Sequence, residues 1–421
     1  MHTTNSVTTE NRIPNRWLIA AAGVVIELQL GTLYAWSVFK KPFMENHGWS
    51  GATVNLAFTL AVFFSGLGSA AGGRFIDRFG PRRVAVFASL VFGVGTFCTG
   101  FADRLASPWL LYGSYGVLAG FGNGLCYLTM ITLLVRWFPD RRGFITGVTV
   151  MGFGLGGAIA GQLAPLLIER AGIANTFFIA GAAFVVMQLA AVSVLNDPPQ
   201  GWAPPGGLAQ TRTGVDAAAP AVTLRRALRM PQYYLLWCML CINVTAGLSL
   251  LSNLSPIAQE QLRLSAVAAG SVILAGSVFN GAGRLFWAWV SDRIGRRTVY
   301  LALFLTVIPA YLLLPHAGRP LLFTALCCYM LFCYGGGLAT LPALVADTFG
   351  SRHLGAIYGS ILLGWSTGGV LGPMLMEFVK TRTGSFAPGL LICAALLACG
   401  ALLTGFYRSP GRGQADESAG S

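Results

Sequence analysis

The sequence predicts an all-α membrane protein of twelve transmembrane helices, built as two parallel six-helix repeats. Three observations predict it. Of the 421 residues, 55% are hydrophobic and only 10% are charged, against about 25% charged in a soluble domain. Apolar runs of about 20 residues, the length that spans a bilayer as a helix, recur along the whole chain. A charged turn occurs twice, 215 positions apart: Asp77, Arg78, Gly80, Arg82, Arg83 in RFIDRFGPRR, and Asp292, Arg293, Gly295, Arg296, Arg297 in SDRIGRR.

Taken in order, hydropathy places the first six spans at 17–39, 53–75, 84–101, 108–135, 144–168 and 175–195. The 16 residues before them are polar and lack a cleavable signal pattern, so the first apolar run reads as a membrane helix. A polar stretch, 196–230, follows. It is rich in Pro, Gly and Ala, lacks apolar periodicity and reads as a cytoplasmic linker. The second six spans fall at 232–254, 265–290, 298–315, 320–345, 355–379 and 386–407, before a short polar tail. The expected domains are therefore residues 1–195, the linker 196–230, and residues 231–421.

The basic residues test this layout. With both termini placed in the cytoplasm, the inner segments hold 19 Lys/Arg and the outer loops eight; Arg284, inside a span, completes the 28. That excess follows the positive-inside rule. The net charge of +13 is then topological: it faces the lipid surface and carries no expectation of nucleic acid. Two further matches support duplication. Gly120 and Gly122 fall on Gly335 and Gly337 at an offset of 215, and Gly143 and Gly147 fall on Gly355 and Gly359 at an offset of 212. Paired six-helix units predict alternating access around a midplane site between the halves.

Several patterns point to no chemistry. The nine cysteines lie almost entirely in apolar runs, and Cys238 and Cys241 share one hydrophobic helix, so they read as small packing residues. The four histidines are scattered, and no metal or cofactor is expected. Gly152, Gly154 and Gly157 spell GxGxxG inside a membrane helix, where close helix packing explains them and a dinucleotide does not. Neither HExxH nor a P-loop occurs, so an enzyme is not expected.

Two charges sit where lipid should be. Arg284 lies about 12 Å into the membrane from the Asp292 turn by helical rise. An arginine there faces a cavity, and its planar fork matches a carboxylate. The matching position in the first half, eight residues before Asp77, is Ser69. Asn280 stands one turn before Arg284 on the same face; it either orients the guanidinium and substrate or bonds to a neighbouring helix. Glu27 lies about 15 Å from the helix start at Trp17 and is the expected proton-coupling group. Tyr34, seven residues on, shares its face, and Leu33 beside it sets pocket size. Tyr127, Tyr334 and Trp365 are candidates for an aromatic box around a short carboxylate. Asp77, Arg78, Arg82, Asp292, Arg293 and Arg296 are expected to act as gates at the inner ends of helices.

The doubled turn resembles the GxxxDRxGRR loop of the major facilitator superfamily over essentially the whole chain. Within it, LYAWSVF (33–39), RWFPDRRG (136–143), NGAGRLFWAWVSDRIGRR (280–297) and YGGGLATLPALVADTFG (334–350) resemble the oxalate–formate antiporter family, near the monocarboxylate transporters. The resemblance implies a small carboxylate substrate, with Arg284 as the eighth-helix substrate arginine and Tyr34, Tyr127 and Tyr334 in the cavity. Two departures matter. A helix-eleven lysine of the oxalate-transporting member falls on Trp365, which leaves one cation and favours a monoanion such as lactate, pyruvate or formate. Animal monocarboxylate transporters carry an acid where this chain has Asn280, which cannot titrate. The expectation is a monocarboxylate:proton symporter, with oxalate:formate-type exchange as the alternative and a non-transporting carboxylate sensor behind both. It places the chain as a monomer in a bacterial inner membrane, with a proton or a counter-anion as the coupled ion.

Overall fold

The structure is a computed structural model; it describes residues 15–199 and 222–408. The residues before 15, most of the expected linker (200–221) and the tail from 409 lie outside the described residues. Among those described there is no strand.

Among the described residues, ten helices are long and apolar enough to cross a membrane. One of them, Arg142–Ser193, reverses at Gly172 (φ 81°, ψ 170°) and supplies two spans. A further 29-residue helix, Ala266–Ile294, carries Arg284 and completes twelve. In chain order α1 is Arg16–Leu30, continued by a 3-10 turn at Gly31–Ala35 and by Ser37–His47. Then come α2 (Gly51–Phe79), α3 (Pro81–Arg104), α4 (Pro108–Trp137), α5 (142–171) and α6 (173–193). The second set is α7 (Pro231–Leu262), α8 (Ala266–Ile294), α9 (Arg296–Leu313), α10 (Pro320–Phe349), α11 (Leu354–Thr383, with a break at Leu362) and α12 (Ala387–Phe406). Helices α1 and α7 run beyond the expected ends at 39 and 254. Hydropathy marks where lipid ends, whereas the backbone ladder continues until a residue such as Gly48 (φ 65°) or Arg263 (φ 54°) stops it.

The doubled sequence turn is a doubled backbone turn. Gly80 (φ 77°, ψ 155°) ends α2 and Gly295 (φ 89°, ψ 142°) ends α8, each amide bonding back four residues, to Ile76 O and Ser291 O. This φ/ψ region is open to glycine almost alone, so the charged turn needs its glycine for geometry.

Small residues let helices touch at backbone distance, as expected where lipid removes the hydrophobic drive between helices. A side chain at Gly124 would overlap the Ser65 carbonyl, and one at Gly283 would overlap that of Phe332. The GxGxxG string is such a seam: Gly152 meets Val24 and Glu27 of α1, and Gly154 meets Gly281 of α8.

The two halves touch along α5–α8 and α2–α11, and the α5–α8 contact is wedge-shaped. Gly147, Gly154 and Gly161 recur every seven residues and so share a face of α5. A Cβ at Gly147 would stand 2.8 Å from Ala288 Cβ, and one at Gly154 would stand 3.2 Å from Gly281 Cα; at Gly161 nothing lies within 4 Å. The interface is closed at the end bearing the Asp292 turn and opens past the level of Arg284.

Candidate functional site: a buried arginine between the halves

At the point where the wedge closes, side chains of both halves line one cavity. Tyr34, Ser65, Ser69, Asn123, Tyr127 and Phe153 come from the first half; Arg284, Leu338, Leu362 and Trp365 come from the second. Its volume, counted over positions a water-sized sphere can occupy, is about 30 Å³. One water needs roughly 10–15 Å³ on that measure, so the space suits a species of a few heavy atoms.

Arg284 is 1% exposed. Its Nη1 donates to Val150 O of α5 at 2.8 Å, and its guanidinium carbon stands 5.6 Å from the Phe153 ring centre. Nε and Nη2 have no hydrogen-bond partner. These two atoms form one edge of the guanidinium, whose parallel N–H groups pair with the two oxygens of a carboxylate. Leaving charged donors buried and unpaired costs on the order of 1–3 kcal/mol or more. The second half thus holds a desolvated fork beside an anion-sized space.

Glu27 is fully buried and both its carboxyl oxygens lack a partner. It is not on the cavity wall. It packs against Gly152 of α5, where an added Cβ would stand 3.2 Å from Glu27 Cβ, and makes no hydrogen bond to Arg284. The expected shared face with Tyr34 is interrupted by the 3-10 turn at Gly31–Ala35, which rotates the chain between them. Tyr34 reaches the cavity all the same; Leu33 is 5% exposed within the apolar core and off the wall.

Two phenol pairs cross between the halves. The Tyr34 hydroxyl stands 3.4 Å from that of Tyr334, and the Tyr127 hydroxyl 3.4 Å from that of Tyr358. The Trp365 indole is close enough to the Tyr334 hydroxyl to interact with it. The structure therefore gathers Arg284, Tyr34, Tyr127 and Trp365 around one space, with Tyr334 off the wall against the Tyr34 hydroxyl. Asn280 is not on the wall: its Nδ2 donates to Leu331 O of α10 at 3.0 Å, while its Oδ1 lies at the Gly154 seam near Arg284 Nε.

The charged turns divide. The Asp292 carboxylate accepts from Gly143 N at 3.1 Å and Phe144 N at 2.9 Å, at the amino end of α5. A carboxylate there meets free amides and the positive end of the helix dipole. Arg296 donates to Asp292 (2.9 Å) and pairs with Asp347 (2.9 Å), which Arg142 of the first half approaches at 3.6 Å. Asp77 stands 3.9 Å from His353 across the other contact. Arg82 instead donates to Ser193 O at 3.0 Å, inside its own half. Arg78 and Arg293 lie over their neighbours Phe79 and Trp289.

Sequence reading missed Ser65, Ser69, Asn123, Phe153 and Tyr358. A usable signal existed for Ser69, which matches Arg284 across the repeat. Ser65 lies one helical turn before it. Asn123 sits inside GFGNG, where the glycines drew the reading toward packing.

The family model described as "Major Facilitator Superfamily" matches residues 28–285 and 246–421. The chain is 29% identical over 366 residues to the MFS-type transporter YhjX of Escherichia coli (strain K12), covering 86% of this chain and 88% of that one. It is 29% identical over 384 residues to the oxalate:formate antiporter of Oxalobacter formigenes, covering 88% and 86%. Its fold superposes on the crystal structure of FucP in the outward conformation with a TM-score of 0.71 at 16% identity, over 92% of this chain and 98% of that one. With a family model spanning both repeats, the chain belongs to the Major Facilitator Superfamily.

Proposed function

We propose that the protein is a secondary transporter of small monocarboxylates that couples one anion to one proton by alternating access. The observation that carries this is the free Nε/Nη2 edge of Arg284 in a cavity shared by the halves. An anion with a single carboxylate fills that edge. Trp365, on the same wall, offers no second cation for a dianion.

Charge counting gives the coupling. Burying net charge in a membrane is costly. With Arg284 cationic and Glu27 anionic the empty site is neutral and can reorient. One bound anion makes it negative; a proton on Glu27 restores neutrality. If Glu27 stays neutral throughout, the empty site carries a positive charge and only the loaded site reorients, which is exchange. Glu27 thus decides between symport and the antiport in the name of the Oxalobacter relative. Placing the closed end of the wedge in the cytoplasm, as the basic residues favour, makes the Asp292–α5 contact and the Arg142–Asp347 pair, with Arg296 holding both aspartates, an inner gate. The two six-helix halves, 15–195 and 231–408, then rock as two bodies about the site.

Counterflow of labelled lactate and labelled oxalate into proteoliposomes is the test. Lactate accumulation stronger than that of oxalate is expected. If neither exchanges, nor any other small carboxylate, the transport reading is wrong and a binding-only sensor takes its place.

A further inference from the structure

The first-half wall of the cavity has a hydrogen-bond polarity of its own. Beside the phenols of Tyr34 and Tyr127, its polar side chains are Ser65, Ser69 and Asn123, which are 4%, 3% and 1% exposed. The direction of each bond follows from its partner. Asn123 Nδ2 lies 2.9 Å from Leu30 O, a carbonyl that can only accept, so the amide orientation is set. Asn123 Oδ1 therefore faces Ser65, whose hydroxyl must donate to it, at 3.1 Å. Ser69 Oγ lies 2.9 Å from Gly124 O, so it too must donate away from the cavity. Both serines have then used their only proton on the protein. What they can still offer is oxygen lone pairs.

From this we infer that Ser65 and Ser69 form a selector for the far end of the substrate, and that the preferred class is 2-hydroxymonocarboxylates. This rests on Arg284 holding the carboxylate, as proposed above. A carboxylate on the Nε/Nη2 edge projects its C2 substituent across a space of a few heavy atoms toward this wall. A hydroxyl there donates to a serine oxygen. A hydrogen or methyl group leaves those lone pairs unmatched. A second carboxylate sets its own lone pairs against those of the serines, a repulsion that adds to the lack of a second positive charge in rejecting dicarboxylates. Selectivity is thus divided between the halves: the second half reads charge, and the first half reads the proton donor.

The test uses the full chain in proteoliposomes and compares glycolate, acetate and oxalate as competitors of labelled lactate counterflow. One matched buried hydrogen bond is worth up to about tenfold in affinity, so glycolate should compete about tenfold more strongly than acetate, and oxalate should compete least. In Ser69→Ala and Ser65→Ala the glycolate-to-acetate ratio should fall toward one. The readout is a ratio within each variant, so differing amounts of folded protein cancel. Wild-type protein that exchanges carboxylates with a ratio near one, competition by oxalate as strong as by glycolate, or an unchanged ratio in both variants overturns the selector while leaving the Arg284 reading intact. Failure of the wild type to exchange any carboxylate overturns both.

Discussion

Arg284→Gln separates a binding arginine from a structural one. In the structure the guanidinium spends one donor on Val150 O and leaves Nε and Nη2 free. Glutamine is shorter and neutral, so the substrate carboxylate loses its charged fork and sits desolvated without a counter-charge. Removing one member of a buried charge pair costs about 3–5 kcal/mol. At about 1.4 kcal/mol per factor of ten, half-saturation for lactate should rise roughly a hundred- to several-thousand-fold. Arg284→Lys keeps the charge and loses the planar fork, so it should fall between, about tenfold or more above wild type. The assay is the concentration dependence of lactate counterflow, paired with a thermal melt of the purified protein. A structural arginine and a binding arginine part company in the melt. With the melt run at a pH low enough to keep Glu27 protonated, taking away an under-satisfied buried charge should leave Tm of the ligand-free protein unchanged or raised. Half-saturation within threefold of wild type in Arg284→Gln, or a large fall in its Tm, refutes the assignment.

Glu27→Gln leaves the empty site cationic; uptake driven by an inward proton gradient should disappear while lactate–lactate exchange persists, and unchanged pH-driven uptake removes Glu27 from the coupling. Asp292→Ala strips the amino end of α5 of its carboxylate and Arg296 of a partner. A loss of about 1 kcal/mol shifts a two-state balance about fivefold, so labelling of Gly161→Cys by an impermeant thiol reagent, in a background without the native cysteines, should slow as the wedge spends less time open at that end. Gly124→Ala drives a methyl group into the Ser65 carbonyl; overpacking of this kind costs about 1–3 kcal/mol or more and should lower Tm and yield. The same change at Gly161, which has nothing within 4 Å, should leave both near wild type.

Composition, basic-residue placement and the repeated Asp-Arg-x-Gly turn were enough for the fold, because membrane insertion reads local properties: apolar length, flanking charge and turn chemistry. Arg284 was legible for the same reason. A lone charge in an apolar run needs a cavity or a partner whatever the rest of the chain does; Tyr34, Tyr127 and Tyr334 came with the family resemblance, and Trp365 as a departure from it. Asn280 shows the limit of the local view. Helical spacing puts it on the face of Arg284, but whether an amide there meets substrate or a neighbouring carbonyl depends on how far away α10 lies, and α10 lies at bonding distance.

What only the tertiary structure decided is which groups face one another across the halves and which bonding capacity they have left. Ser69 and Arg284 are 215 positions apart and equivalent in the repeat; their meeting around one cavity follows from packing the two repeats face to face. That Arg284 keeps its Nε/Nη2 edge and gives Nη1 to Val150 depends on the approach of α5 to α8, which glycines permit and no residue type alone dictates. That the serines present acceptors depends on carbonyls of α1 and α4 that no sequence pattern displays. Charge and hydropathy belong to residues and survive in the sequence; the direction of a hydrogen bond belongs to a pair, and exists only once the pair is in place.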